Sequence, residues 1–527
     1  MLTFVPTTKD NAMRNFTLSF ALMVCSASYA QTAYDYPADV LNTYSALQLE
    51  MIQATPGFTP PVVSRALGYI GLAAYEAGVH GMPDRTSLVG VVPQLETLPL
   101  PAGELYWPEV INQAVYEVTA DMFSNAPVEL LDELVSLRVQ FTVEHSIDAD
   151  PILVAASSQY GADLADAILT YAHADGQEGC QFTNFPPEYV LPTVPGVWVP
   201  LPGQAALQPY WGDKRCFVVE FVTDEMLSPE PPVFSAEPGS DLYNEAMAVY
   251  DAVNNATVET ANIAEFWADD PGTVTPPGHS WSILMQVLEL EQSNLGFAAE
   301  AYARMGMALS DAFVQCWATK YEFILERPIT YINSYIDPDA DWSTIVNTPP
   351  FPEYTSGHSS QAGAWAAVMT ALFGETYEFT DFTHGDQFGG PRSFSSFMEC
   401  AEETAMSRLY GGIHFPIGNS MGTQSGLAVG EMVNQLFEQV VSVDEAYAAP
   451  AELLVRPNPT QGNIVFTAAP NANMQFVVYN AAGQKVHVET ANFGRADVSH
   501  LPDGIYVATL ERPNGTVAMR TRLMVAH

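Results

Sequence analysis

Basic residues are the scarcest feature of this chain: lysine and arginine number 18 against 61 aspartates and glutamates, a formal net charge of −43 at pH 7 over 527 residues. So acidic a balance repels phosphate backbones and anionic lipid, which excludes nucleic acid and an anionic membrane surface as partners. It fits the solvated surface of an exported protein. Charge of either sign is sparse too, at 15% of residues, while 48% are hydrophobic and 11% aromatic. That excludes a disordered chain and leaves ample material for a large core. Cysteine is limited to five positions, Cys25, Cys180, Cys216, Cys316 and Cys400. Past the N-terminal region no stretch of about 20 residues is uninterrupted apolar sequence, so no transmembrane segment is expected in the mature chain.

What is present begins with Met13 and Arg14, a short basic start followed by apolar Phe16 to Val24 and a small-x-small site, Ser28, Tyr29 and Ala30. Residues 1–30 therefore read as a leader and secretory signal peptide, Cys25 leaving with it. The remaining even count of cysteines permits disulfides in an exported chain. From 31 to 441 apolar residues recur at three-to-four spacing, giving helices over about 38–51, 60–78, 108–123, 128–147, 150–174, 240–254, 281–291, 294–327, 357–373, 395–410 and 420–440. This is a mainly α, helical-bundle domain. A Pro- and Gly-rich segment, roughly 176–238, interrupts it and is expected to be a functional wall or a packed insertion. Cys180 and Cys216 bracket part of that segment and are the candidate disulfide. An acidic, Ala-rich linker at 442–453 leads to 454–527, where short alternating runs are separated by turns such as Pro502, Asp503, Gly504. That texture predicts a small all-β, sandwich-like C-terminal domain.

Three clusters between Trp317 and Asn419 gather the scarce cations. Lys320 and Arg327, six residues between them, precede Pro328; on a helix they would share one face about two turns apart, with Pro328 ending that helix. Ser356, Gly357 and His358 follow Phe351, Pro352, Glu353, Tyr354 and Thr355. There a hydroxyl and the Gly357 amide would sit at a helix N-terminus, a place that attracts anions. Arg408 is followed by His414 beyond Gly411 and Gly412, where the chain can turn. Singly, each cluster has an ordinary reading: a helix cap, solvated helix charges, a core histidine. Together they suit a tetrahedral oxyanion.

In order and internal spacing these clusters resemble the vanadium-dependent haloperoxidases and the related type 2 phosphatidic acid phosphatases, whose pattern is K-x6-R-P, S-G-H and S-R-x5-H. The resemblance implies two four-helix bundles with the oxyanion site at the end of one, and vanadate as cofactor. His414 matches the histidine that bonds the metal axially; Lys320, Arg327, Ser356, Gly357 and Arg408 match the oxyanion donors. His358 matches the acid–base histidine, and Lys320 the residue that polarises peroxide, so His358, His414 and Lys320 are the catalytic candidates. Trp317 and Phe351 match positions flanking vanadate in fungal chloroperoxidases and are halide-pocket candidates, with core packing as their plain alternative. The implied reaction is oxidation of halide, iodide or bromide favoured, by hydrogen peroxide to hypohalous acid, with an organic acceptor as a further partner. The alternative is a secreted acid phosphatase using His414 as nucleophile.

One departure stands out. Much of the family has an Asp four residues after the axial histidine, where this chain has Gly418 and then Asn419. His414 is therefore expected to be oriented by an amide or backbone carbonyl, or by an acid from elsewhere such as Asp269 or Asp270, which weakens the phosphatase reading. In the tail, Arg456 to Gly462, Val478 to Gln484 and Leu501 to Tyr506 resemble the C-terminal sorting domains of bacterial type IX secretion cargo. This implies secretion machinery as partner and a secreted or cell-surface location; a generic β-sandwich binding module is the alternative.

Overall fold

The computed structural model describes residues 31–339, 341–439, 451–452, 455–466, 475–480, 484–490, 495–511 and 517–527. The leader and signal at 1–30 and nearly all of the 442–453 linker lie outside the described residues. Among the described residues the helices are α1 (Asp39–Ala54), α2 (Pro60–Gly78), α3 (Trp107–Met122), α4 (Val128–Asp148), α5 (Pro151–His173), α6 (Asp241–Asn254), α7 (Val258–Phe266), α8 (Thr275–Leu290), α9 (Leu295–Phe323), α10 (Pro328–Tyr331), α11 (Gly357–Phe373), α12 (Phe397–Tyr410) and α13 (Pro416–Gln439). The mainly α expectation holds.

Helix α9 is the axis, because small and apolar residues on every side let it be buried almost throughout. Asn294 caps it by accepting from the Phe297 amide at 2.9 Å. Helix α2 lies along one side and α11 along another, and α11 in turn packs on α13. The last pair touches backbone to backbone. On α13, Gly418, Gly422, Gly426 and Gly430 recur every four residues, and a Cβ on them would overlap or crowd, in turn, the Glu353 carboxylate and the carbonyls of Ser356, Ser360 and Ala364. One glycine face thus fixes the register of α13 against the Ser356–His358 segment.

Several expectations need correction. Helix α9 stops at Phe323, where Ile324 turns left-handed (φ 46°), and Arg327 is extended. Lys320 and Arg327 therefore do not share a helix face: the residue before a proline avoids helical backbone, so the break comes ahead of Arg327 and not at Pro328. Helices α7 and α10 and a hairpin of β1 (Phe379–Asp381) with β2 (Arg392–Phe394) were not expected, and α8 and α13 start earlier than their periodicity suggested. Cys180 and Cys216 are free, buried thiols. Their segment is pinned instead by buried polar contacts: Lys214 with Asp175 at 3.7 Å, and the Asp311 carboxylate accepting from the Phe217 and Val218 amides. The segment is both wall and insertion, tied to the site by Trp198 N–H donating to Ile324 and Leu207 N–H donating to Pro350.

The tail forms two sheets. Strands β3 (Ala451–Glu452), β4 (Val455–Arg456), β5 (Asn463–Phe466), β6 (Gln475–Tyr479), β7 (Lys485–Thr490), β8 (Arg495–Asp497), β9 (Gly504–Glu511) and β10 (Val517–Val525) are ordered β3-β10-β9-β6-β7 and β4-β5-β8. All pairings are antiparallel except β3 with β10. Val455, Ile464 and Ala496 of the small sheet share one core with Phe476, Val478, Ala508 and Leu523 of the large one, the sandwich the alternation predicted.

Candidate active site

Three chain segments converge at one end of α9. Lys320 reaches it from the last turn of that helix and donates to the carbonyls of Pro352 and Glu353, both at 2.9 Å. Arg327 enters after the left-handed turn and donates through Nε to Phe351 O at 2.9 Å and through Nη1 to Ile413 O at 2.8 Å. The two cations thus clamp the strand of chain that delivers Ser356. Ser356 caps α11, its Oγ accepting from the Ser359 hydroxyl at 2.9 Å and the Ser359 amide at 3.3 Å. The first amides of that helix, from Gly357 on, have no partner within the helix and offer donors beside the cations. Arg408, in the last turn of α12, is steered by Ser407 Oγ and the Ala264 carbonyl, each at 2.9 Å. Gly412, at φ 82°, then turns the chain so that His414 points back.

His414 meets two partners. Its Nδ1 lies 2.8 Å from Glu353 Oε1 and its Nε2 3.1 Å from Arg327 Nη1. A carboxylate can only accept and a guanidinium only donate, so the proton sits on Nδ1 and a lone pair on Nε2. Glu353 is the residue sequence reasoning missed. It also accepts from the Phe415 amide at 2.9 Å, and its carboxylate fills the space that a side chain at position 418 would need. The expected amide or carbonyl orienter is replaced by this acid. Asp269 and Asp270 do not take that part either, because Asp269 faces His279 and His384 while Asp270 accepts from Asn347. The signal available in the sequence was an acid three residues ahead of Ser356, paired with Gly418 four residues after His414.

The electrostatics describe a cradle short of negative charge. Burial pushes Lys320 down to about 7, and Arg327 and Arg408 down to about 10. Burial raises Glu353 to about 7 against the pull of Lys320 and Arg327. Burial, followed by the field of Arg327, Lys320, His358 and Arg408, drives His414 well below its ordinary value, so it is neutral. His358 is also held well below its ordinary value, by burial and then Arg408. It is therefore a neutral imidazole at pH 7. Arg327 Nη2, His358 Nε2, Asn419 Nδ2 and Glu353 Oε2 are buried with no hydrogen-bond partner. Two of these, Arg327 Nη2 and Asn419 Nδ2, can only donate, and with the buried cations beside them they suit an anion rich in oxygen.

A cavity of ≈ 720 Å³ opens onto His358 and Arg408. Phe351, Pro349, Pro350, Phe58 and Ile413 form much of its apolar wall. Phe351, one of the two halide-pocket candidates, lines this cavity. Trp317 does not line the cavity: it is buried behind, 4.9 Å from Phe351 between ring centroids, its Nε1 donating to Leu207 O at 3.3 Å. A Cβ at Gly357 would touch that indole, so Trp317 supports the cradle from below.

Residues 300–443 match a family model described as the VCPO second helical-bundle domain, and residues 454–525 match the secretion system C-terminal sorting domain. The vanadium chloroperoxidase of Curvularia inaequalis is 24% identical over 400 residues, a match that takes in 63% of this chain and 65% of that relative's length. Among solved structures, that of the first bacterial vanadium-dependent iodoperoxidase superposes with a TM-score of 0.67 at 32% identity, covering 76% of this chain and 96% of that one. A holo-type bacterial vanadium-dependent chloroperoxidase gives a TM-score of 0.56 at 16% identity over 78% of this chain and 99% of its own, a likeness of fold alone. No helix among the described residues is long and apolar enough to cross a membrane.

Proposed function

We infer that this chain, which belongs to the vanadium-dependent haloperoxidase family, is an exported enzyme that oxidises halide with hydrogen peroxide, iodide or bromide ahead of chloride. The observation that carries the reading is the set of buried cations and unpartnered donors around the lone pair of His414 Nε2. These residues fit vanadate: His414 would be its protein ligand, and Lys320, Arg327, Arg408, Ser356 Oγ and the Gly357 amide would hold its oxygens. Vanadate, when bound, supplies a Lewis-acidic centre that activates hydrogen peroxide toward a halide.

Around it this chain's own groups have separable tasks. Glu353 keeps the proton on Nδ1 and adds basicity to Nε2. Two of the three N–H bonds of Lys320 are spent on Pro352 and Glu353, leaving one to polarise an oxygen of the peroxide. His358 Nε2 is free and its ring neutral, so it can accept a proton from incoming peroxide; the negative charge of the oxyanion raises its affinity for that proton. Phe351 and the prolines beside it strip water from a large, weakly hydrated halide, and leave room for an organic acceptor. The iodoperoxidase at 32% identity supports iodide, as does the ease with which iodide gives up electrons.

Glu353 also supplies the carboxylate that a phosphorylated histidine would need, which restores to the phosphatase alternative what the glycine at 418 had removed. Reconstitution with orthovanadate, followed by parallel assays of iodide, bromide and chloride oxidation and of phosphate ester hydrolysis, decides between them. Halide oxidation is expected. Metal-free ester hydrolysis inhibited by vanadate, without halide oxidation, would replace the reading. Residues 31–441 would carry the catalysis and 454–527 serve export, so exported protein should lack the tail or bear an anchor there. Mass spectrometry finding an unmodified His527 would refute that layout.

A further inference from the structure

A second cluster, to which the proposed halide chemistry assigns no role, adjoins the oxyanion cavity and shares Asp269 with its wall. Asp269, in the loop after α7, His279, in the second turn of α8, and His384, in the turn after β1, converge so that one ligand atom from each lies within 4.8 Å of the others. His279 Nδ1 is 2.9 Å from Asp269 Oδ2, and His384 Nε2 is 3.0 Å from Asp269 Oδ1. We propose that Asp269, His279 and His384 form a metal site, a two-histidine, one-carboxylate seat for a divalent first-row transition ion of the zinc class.

The surroundings point to a ligand set and not merely to a hydrogen-bonded cluster. The far nitrogen of His279, Nε2, donates to Asp381 Oδ2 at 2.7 Å. Asp381 is itself held by the Thr383 amide at 2.9 Å and the Thr383 hydroxyl at 2.6 Å. A carboxylate on the outer nitrogen fixes the tautomer that presents Nδ1 as a lone pair, as in carboxylate–histidine–metal arrangements. The ring is stacked on Trp267, 4.6 Å between centroids at 18°, with Phe266 at 5.4 Å, so it has no freedom to turn away. Asp269 adopts φ 45°, an uncommon backbone for a residue with a Cβ and one that needs a reason to persist. His384 borders a cavity of ≈ 240 Å³ that Glu265, Asp270 and Asn347 also line, which leaves a coordination position accessible to water.

Charge agrees with this assignment. With both imidazoles neutral, a divalent ion balances Asp269 and Asp381. Without one, His279 can satisfy both carboxylates only by carrying protons on both nitrogens. Two nitrogens and one carboxylate oxygen suit zinc and its neighbours and not magnesium or calcium, which take oxygen donors. Such an ion would tie the loop after α7, α8 and the β1–β2 hairpin together. It would also fix Asp269, whose charge acts on Arg408.

Zinc is the probe, because such sites bind it more tightly than iron or manganese whatever ion they hold in the cell. The full-length, vanadate-loaded protein is incubated with zinc chloride and dialysed exhaustively; zinc and vanadium per chain are then measured by elemental analysis, and crystals are examined at the zinc edge. The expected result is about one zinc per chain, with an anomalous peak about 2.0–2.2 Å from the three ligand atoms. His384→Ala and His384→Gln, at the cavity edge where the fold tolerates change, should lower zinc affinity at least tenfold and leave vanadium content unaltered. Wild-type protein retaining no zinc would overturn the proposal. So would equal retention by both variants, the result expected of zinc seated elsewhere, such as near His487 and His500 in the tail.

Discussion

Removing the charge of Glu353 without changing its shape tests the architecture of the cradle most directly. In Glu353→Gln the amide oxygen still accepts from His414 Nδ1 or from the Phe415 amide, so the ring keeps its place. What is lost is the anion that makes Nε2 a strong donor to a metal and offsets Lys320 and Arg327. Loss of such an outer partner ordinarily weakens metal affinity 10–100-fold, or about 1.4–2.7 kcal/mol. We therefore expect the vanadate Kd to rise by about that factor, measured by calorimetric titration and by vanadium NMR. Gly418→Asp alone should also weaken binding, because its Cβ overlaps the Glu353 carboxylate and its charge would lie beside a second carboxylate. The double variant Glu353→Ala with Gly418→Asp vacates that space and supplies an acid four residues after His414, in the first turn of α13. It should bind vanadate better than the two single effects predict, by about 1 kcal/mol or more of coupling. Unchanged affinity in Glu353→Gln, or strict additivity in the double variant, would refute the exchange of roles between positions 353 and 418.

Other tests address the remaining groups. In the proposed role Lys320 must be protonated, and burial holds that amine at about 7 in the ligand-free chain; its share of the affinity should thus be fully present below that pH and fall above it by up to about tenfold per unit, with a proton taken up by Lys320 on binding, while protonation of Glu353, which burial raises to about 7, weakens binding on the acid side. Lys320→Met should lose this extra proton uptake in calorimetry across buffers, and a persistent uptake would reject Lys320 as its source. His414→Ala should abolish vanadate binding, whereas His358→Ala should retain the metal and lose turnover; equilibrium dialysis separates the two, and loss of metal in both would merge their roles. Gly426→Ala drives a Cβ into the Ser360 carbonyl and should destabilise the fold by about 1–3 kcal/mol, read from urea unfolding. An unchanged midpoint would show that α13 slides freely on α11.

Local spacing made the cradle legible. Ser356 as a cap, the turn at Gly411 and Gly412 and the order of the three clusters are written within a few residues of each group they position. The Lys320–Arg327 interval misled for the same reason: seven residues fit two helical turns, and only the restriction that Pro328 places on Arg327 argued for the earlier break. Pro416 likewise signalled the true start of α13, at a first helical position, where apolar periodicity did not begin until later. Strands of three residues such as β1 and β2 carry too little alternation to be recognised. Glu353 was hidden differently. It reaches His414 across 61 residues, and its role rests on an empty volume at Gly418 that only the packing of α13 reveals.

That contrast follows from the composition. Where 18 basic residues stand against 61 acidic ones, a cation is informative and an acid is not, so Lys320, Arg327 and Arg408 could be picked out while Glu353 and Asp381 passed unnoticed among their kind. The same imbalance matters energetically. The surface holds ample negative charge, but screening confines each surface charge to about 8 Å at physiological salt, so it does little for cations buried at the end of α9. Their depressed proton affinities record that deficit. A bound oxyanion would supply the missing charge where it is desolvated and needed, and any ligand that binds only the folded chain stabilises it, the more so the more tightly it binds. Oxyanion binding would therefore be linked to folding through Lys320, Arg327 and Arg408, whose carboxylate counter-charges among the described residues are Glu353, Asp269 and Asp270.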